Sequence, residues 1–157
     1  MNQTVVRLTI TVCFFWALIG PGADCGETHA AALSFRLAYD TDRPDTTKMQ
    51  MKLSDEIFYV SNQAILDQRD VSRSRVEHGI VRPLLIFTLK PDGSKRLSDT
   101  SAAHLGSHLA LIIDDVLVSA PMIRQRLDGN EFTINTDRLS EIELNALATR
   151  INALVEQ

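Results

Sequence analysis

The sequence has little of the residue types that mark specialised protein classes. Its 157 residues include two cysteines, one tryptophan, five prolines and seven glycines. So few cysteines exclude a disulfide-stapled fold and a zinc site built from several cysteines, and so little glycine and proline excludes collagen-like and low-complexity chains. Basic residues are fewer than acidic ones, 16 against 20, so the chain lacks the positive footprint of a nucleic-acid-binding protein. What is present, 45% hydrophobic and 23% charged residues, is the composition of one ordinary folded domain.

One long apolar run is present, and it lies at the N-terminus. Leu8–Ile19 is uncharged, follows Arg7 and ends at Gly20-Pro21-Gly22. It is shorter than the roughly 20 residues that a membrane-spanning helix needs, and it matches the apolar region of a secretory signal peptide. Small residues at Thr28-His29-Ala30 and at Ala30-Ala31-Ala32 offer two cleavage points. We therefore expect residues 1–32 to be a signal peptide and short leader, and residues 33–157 to be an exported domain in the periplasm or cell envelope.

Two alternatives for this N-terminus stay open. The run could remain as an uncleaved signal anchor, which would be the chain's only contact with a membrane. Cys25 could instead be acylated, although Asp24 stands where lipoprotein signals want a small neutral residue. Cleavage of the signal would remove Cys13, and in most cases Cys25 as well, leaving no thiol chemistry.

Alternating apolar residues predict a series of strands after the leader. Leu33–Tyr39 has the pattern of a half-buried strand, and two further apolar stretches are joined across Asp114-Asp115 as a hairpin. The predicted strands are Leu33–Tyr39, Met49–Leu53, Ile57–Val60, Val81–Leu89, His108–Ile113, Val116–Ala120 and Phe132–Ile134.

Capping residues and apolar stripes predict two or three helices. One extends from the N-cap pattern at Asp67 to Gly79, and a polar one from Lys95 to His104, after a turn at Pro91-Asp92-Gly93. The clearest begins at Ser140, whose capping box is closed by Glu143. Its apolar stripe is Ile142, Leu147, Ile151 and Leu154. The fold class is therefore α+β: a single small domain with a mostly antiparallel sheet and two or three helices packed on it.

The titratable residues do not assemble into a recognisable catalytic or metal-binding motif. His104 and His108 are four residues apart, but Gly106 separates them and the second begins a strand, so they would not share a helix face. Asp114 and Asp115 are adjacent, which suits a turn better than a pair of facing carboxylates. There is no Gly-x-Ser-x-Gly motif and no glycine-rich phosphate loop. We predict no catalytic, cofactor-binding or metal residues, and no enzyme.

The stretch from Leu85 to Ala153 carries a spread-out motif of small and apolar residues. Phe87-Thr88-Leu89 forms an F-x-L strand, and the following helix carries Thr100 and His104 before Gly106. Ala110–Asp114 then leads to Ser119-Ala120-Pro121. The remaining motif positions are Ile123, Gly129 and Ile134, followed by a helix with Glu143 and Leu147.

This pattern resembles the head subdomain in the first extracytoplasmic domain of SecD, a membrane subunit of the bacterial protein-export machine. His104 stands where the family usually has Asn, and Asn135-Thr136 stands near its expected second Gly. Family-motif positions carried over to this chain are Thr100, Gly106, Asp114, Pro121 and Gly129, all with mainly structural explanations. SecD also has six membrane spans and a base subdomain, so the resemblance implies a free-standing head module. In SecD that module is thought to contact the emerging polypeptide.

Two functional hypotheses follow. The first is a non-enzymatic exported module that binds a polypeptide or an envelope protein, with no cofactor and no nucleic acid. Strand addition to an edge near Leu33–Tyr39 or Val81–Leu89 would be one way to hold a peptide. The second is a small-ligand-binding or hydrolytic domain that uses the polar loops around Asp40–Lys48 and Asp114-Asp115.

Overall fold

The computed structural model describes residues 32–79, 82–134 and 139–156. The expected signal peptide, residues 1–32, lies outside the described residues except for Ala32. Eight strands and two α-helices follow one another in these ranges. They are β1 (Leu33–Tyr39), β2 (Thr46–Gln50), β3 (Ile57–Asp67), β4 (Val71–His78), β5 (Pro83–Leu89), α1 (Pro91–Ala103), β6 (His108–Ile113), β7 (Val116–Ser119), β8 (Glu131–Ile134) and α2 (Glu141–Val155).

A five-stranded antiparallel sheet, in the order β2-β3-β1-β6-β7, has β1 at its centre. Leu33, Phe35 and Leu37 point to one face, and Ala38 lies in a second buried cluster on the other. The prediction of a half-buried strand is therefore wrong, although the strand has the predicted bounds. The alternating pattern hid this because the residues of the second face, Ser34, Arg36 and Ala38, are small or polar.

The two edges of this sheet approach each other at one corner. Lys52 donates its backbone N–H to the carbonyl of Leu117 on β7 at 2.8 Å, and Met51 forms a parallel bridge with the same residue. The curled sheet encloses a small core that includes Phe58, Val60 and Ile112. The sheet is thus partly closed around its inner face.

The opposite face of β1 packs against the second sheet, of order β4-β5-β8. Phe35, Phe87 and Phe132 meet there with ring centroids 5.0 to 5.3 Å apart. Because β5 is central, its apolar residues form a nearly continuous run. This main core also receives residues from both helices.

The predicted C-terminal helix is confirmed, including its capping box. The Ser140 side chain accepts the N–H of Glu143, and the Glu143 carboxylate accepts the N–H of Ser140 at 2.8 Å. The buried side chains are Leu144, Ala148, Ile151 and Leu154. Ile142, assigned to the apolar stripe from the sequence, is 82% exposed, so that assignment is wrong. The buried stripe begins two residues later, at Leu144, which faces the core in place of Ile142.

The polar helix is confirmed, but it begins earlier than predicted. Pro91-Asp92-Gly93 forms its first turn rather than a separate turn. Proline suits the first helical position because it lacks an N–H. Gly93 is required there by a close approach, since a Cβ on it would lie 2.8 Å from the Cβ of Asp70.

The helix predicted from Asp67 to Gly79 is wrong. Asp67 does cap a helical segment, but that segment is a single 3₁₀ turn, Gln68–Asp70. The chain then extends as β4, which pairs along its length with β5. Pairing with an apolar neighbouring strand outweighs a local cap followed by few apolar residues.

The architecture confirms an α+β domain with mostly antiparallel sheets, with two α-helices in the described ranges. The predicted β6–β7 hairpin is also confirmed, and so is the predicted strand before α2, which is β8. Strand β2 lies three residues earlier than predicted and begins inside the predicted polar loop Asp40–Lys48. No helix of residues 32–79, 82–134 or 139–156 is long and apolar enough to cross a membrane.

Candidate functional site

A three-residue bulge in β3 interrupts its pairing with β1. Arg36 pairs with Ala64, and Ala38 pairs with Val60. Between these pairs β1 has the single residue Leu37, whereas β3 has the three residues 61–63. Bulges of this kind bend a strand and release part of its ladder.

The bulge borders an open groove of about 300 Å³ between β3 and α1, the α1–β3 groove. Two side chains of α1, four residues apart on one helix face, line the groove together with the residue that follows the helix. These side chains are Arg96, Thr100 and His104. The sheet contributes Leu37, Ser61, Gln63, Ala64 and Ile65.

The charged group in this groove is held in place. The Arg96 guanidinium is paired with Asp70 and lies 3.4 Å from the carbonyl of Ile65. The hydrogen bond to Asp70 raises the pKa of Arg96, so its charge is constant. Leu37, Ala64 and Ile65 supply apolar surface, and hydroxyl, amide and imidazole groups supply donors and acceptors. Such a lining suits an extended polar-and-apolar chain.

The motif positions do not form a single cluster. Thr100 lines the α1–β3 groove. Gly106 follows α1 with a φ of 84°, and its N–H donates to Ile123 at 2.8 Å. Pro121 lies nearby and accepts the N–H of Leu109 at 2.9 Å. These contacts brace the start of β6, whereas Asp114 lies at its other end.

Asp114 and Asp115 occupy the two-residue turn between β6 and β7. Their φ values are 48° and 61°, the left-handed conformation that a primed hairpin turn requires. Asp114 also accepts the N–H of Ala32 at 3.1 Å and pairs with Arg150 of α2. This geometry agrees with the turn interpretation. No group of three or more His, Cys, Asp or Glu within the described residues could hold a metal ion.

A serine stripe on α1, absent from the sequence-based prediction, holds the segment between β7 and β8. Ser94 donates to the carbonyl of Gly129, which has a φ of 98°. Ser98 donates to Asp128 at 2.6 Å, and Ser101 accepts the N–H of Leu127 at 2.9 Å. The spacing of four and three residues was a detectable signal, but an acceptor for it could only be found in three dimensions.

The strand edges proposed from the sequence are wrong. β1 lies between β3 and β6, and β5 lies between β4 and β8, so neither strand has an open edge. The edge of β4 is covered by α2, because the Asn152 side chain accepts the N–H of Ser74 at 2.7 Å and donates to its carbonyl at 2.9 Å. The long apolar runs of β1 and β5 are typical of central strands.

Comparison with known proteins extends the C-terminal motif over most of the chain. The family model of the SecDF P1 head subdomain matches residues 45–154. The chain belongs to this family. The match includes β2, β3 and β4, which the motif from Leu85 to Ala153 did not reach, and it confirms the resemblance to the SecD head.

The similar proteins are much longer than this chain. Protein translocase subunit SecDF of Thermus thermophilus is 32% identical over 62 residues, which are 40% of this chain and 8% of that protein. SecD of Calditerrivibrio nitroreducens is 30% identical over 81 residues, 51% of this chain and 16% of that protein. SecDF of Brucella abortus is 29% identical over 115 residues, 65% of this chain and 15% of that protein. The chain thus spans less than a fifth of these relatives.

Solved structures confirm the SecD head fold. A crystal structure of SecDF in its super-membrane-facing form matches with a TM-score of 0.58 and 21% identity, covering 80% of this chain and 18% of that one. A second structure, of the membrane component SecDF that enhances protein export, gives the same score and identity and is covered over 61% of its length. At this identity the likeness concerns the fold alone.

Proposed function

We propose that this chain is an exported SecD-type head module that binds polypeptide in protein translocation, and that the α1–β3 groove is its contact surface. Family membership supports the link to translocation. The observation that carries the location is the meeting of the Thr100 face of α1 with the bulged part of β3 in one open groove. The proposal assigns binding to the chain and no chemical reaction.

The groove chemistry matches what an unfolded polypeptide presents. An extended chain offers alternating side chains and a regular row of peptide N–H and C=O groups. Ile65 would pack against apolar side chains, while Gln63 and Thr100 would exchange hydrogen bonds with peptide groups. Because these contacts are few and not sequence-specific, the expected binding is weak and tolerant of many sequences.

The N-terminal pattern supports an extracytoplasmic location for the module. Residues 1–32 carry the predicted signal peptide, and residues 33–157 form the proposed head module. N-terminal sequencing of the protein recovered from the cell envelope tests this division. A mature terminus near Ala30 or Ala32 supports it, whereas a protein that starts at Met1 in the cytoplasm contradicts it.

Site-directed photocrosslinking in cells tests the proposed contact. A photoreactive amino acid placed at Gln63 lies in the groove, and one at Asn145 lies on the exposed side of α2 and serves as the matched control. Arrest of an exported polypeptide during translocation provides a defined target. The proposal predicts crosslinks to the arrested chain from position 63 and none above background from position 145.

The alternative outcomes separate the hypotheses. Equal crosslinking from both positions contradicts the groove as the binding surface. An absence of polypeptide crosslinks at both positions contradicts polypeptide binding at the α1–β3 groove. Crosslinks from position 63 to one folded envelope protein would support the groove as a binding surface but would show that its ligand is that protein and not an unfolded polypeptide.

A further inference from the structure

A second groove lies on the opposite face of the five-stranded sheet. It has a volume of about 440 Å³ and is floored by Ser34, Arg36, Ala64 and Ile112. Because side chains alternate along a strand, Arg36 points away from Leu37 and the α1–β3 groove. We call this second site the Arg36 groove. Neither the family nor the proposed polypeptide contact assigns it a role.

Arg36 is a half-buried cation whose partners among the described residues are neutral. Its Nε donates to the hydroxyl of Ser34 at 3.2 Å, and one terminal nitrogen donates to the carbonyl of Asn62 at 3.4 Å. Asn62 belongs to the β3 bulge, so the bulge turns this carbonyl toward the guanidinium. These bonds use two of five N–H donors. No carboxylate of a described residue forms an ion pair with Arg36, although guanidinium groups are suited to binding a carboxylate with two parallel bonds.

Two acidic residues near the groove are paired with arginines other than Arg36. Asp67 is held by Arg69, with the closest oxygen and nitrogen 2.5 Å apart, and this hydrogen bond lowers the pKa of Asp67. Asp114 is paired with Arg150. Asp115 lines the rim within the β6–β7 turn. The charged residues that line the groove are Arg36, Arg69, Asp67 and Asp115, so their formal charges cancel and the groove suits a ligand with one negative charge better than a ligand with several.

We propose that the Arg36 groove binds a ligand bearing a single carboxylate, which the Arg36 guanidinium holds at the groove floor. Two sources share this chemistry: the C-terminal carboxylate of a polypeptide and a free small carboxylic acid. The two grooves share only Ala64 among their lining residues, and Arg36 is not among the residues that line the α1–β3 groove. Failure of the Arg36 groove to bind a carboxylate would leave the proposed polypeptide contact intact.

Titration of the full 157-residue chain, observed in ¹H–¹⁵N spectra that include the arginine Nε–H signals, tests the proposal. The probes are sodium acetate, inorganic phosphate, and one short peptide prepared with a C-terminal carboxylate and with a C-terminal amide. The variants are Arg36→Gln, which removes the charge, and Arg36→Lys, which keeps the charge but not the two parallel donors. Arg124→Gln, at an exposed position away from the groove, is the matched control.

Acetate and the carboxylate peptide are expected to shift the Arg36 Nε–H signal and the signals of Ser34 and Ile112. Arg36→Gln should weaken this binding by at least about tenfold, the loss expected for one charge-assisted hydrogen bond. Arg36→Lys should have an intermediate effect, and Arg124→Gln none. Tighter binding of the peptide than of acetate identifies a polypeptide terminus as the ligand, and equal binding identifies a small acid.

Three results would overturn the proposal. The first is the absence of a shift at Arg36 with any carboxylate. The second is unchanged binding in Arg36→Gln or, if that variant folds poorly, in a folded Arg36→Lys variant. The third is binding of the amide peptide or of phosphate as tightly as the carboxylate peptide.

Discussion

Gly93 lies where the first turn of α1 packs against the 3₁₀ turn Gln68–Asp70, and the space beside its Cα is too small for a Cβ. An alanine in a helix is usually more stable than glycine by about 1 kcal/mol. Here the added Cβ would lie 2.8 Å from Asp70 Cβ and 3.2 Å from the Asp70 carbonyl oxygen, atoms that cannot move without shifting the backbone. We therefore expect Gly93→Ala to lower the free energy of unfolding by about 1–3 kcal/mol, measured by urea denaturation. A stabilised variant would show that the 3₁₀ turn and α1 are not packed this closely.

Glu131 on β8 is the most strongly shifted carboxylate described. Hydrogen bonds from Arg75 and then Thr88 lower its pKa from 4.5 to about 2. Because the folded pKa is below the unfolded one, this pair stabilises the fold fully above about pH 4.5, and the contribution is lost as the pH falls toward 2. Arg75→Gln should raise the pKa of Glu131 toward 4.5 in an NMR titration. Arg73→Gln, whose effect is only a weaker long-range attraction, should change it little, and equal shifts in both variants would contradict the assigned hydrogen bond.

At the scale of elements, Asn152 joins α2 to the edge of β4. Its amide bonds both backbone groups of Ser74, a residue that is 4% exposed. Asn152→Ala should lower the free energy of unfolding by about 2 kcal/mol, because both groups lose their partner. Asn145→Ala, on the exposed side of the same helix, is the control and should cost less than about 0.5 kcal/mol. Equal effects of the two substitutions would mean that α2 does not protect this strand edge.

Elements whose signals are local could be predicted from the sequence, and the others could not. The capping box fixes the start of α2, and adjacent aspartates between two apolar runs fix the β6–β7 hairpin. β4 could not be distinguished from a helix, since its cap at Asp67 is real and only pairing with β5 makes the following residues extended. Edge positions were misjudged for the same reason: strand order is set by contacts between distant segments, which no local pattern contains.

The candidate site shows the same division. Thr100 was identified through the family motif, but its role in a groove depends on the residues 61–63 that bulge out of β3. A bulge changes register between two strands, so it becomes visible only when both partners are known. Arg36 was missed because a single arginine in an apolar strand has no spacing or motif to mark it.

On the scale of the whole molecule, the β3 bulge shapes a groove on each face of the five-stranded sheet. It leaves room for the α1–β3 groove on one face and directs a carbonyl toward Arg36 on the other. The rest of the domain supports this region: the second sheet and α2 complete the core, and the serine stripe of α1 fixes the helix that bears Thr100. Function is therefore expected at the bulge and not at the motif glycines, which shape turns.

The most direct test of the central claim is the affinity of the full chain for an unfolded exported polypeptide, measured by fluorescence anisotropy. Thr100→Trp fills the α1–β3 groove, whereas Thr133→Trp adds the same side chain at an exposed position on β8. Thermal melting of both variants shows whether they remain folded. We predict that Thr100→Trp weakens binding by at least about tenfold and that Thr133→Trp leaves it unchanged. Equal affinity of the folded Thr100→Trp variant and the original chain would contradict the account.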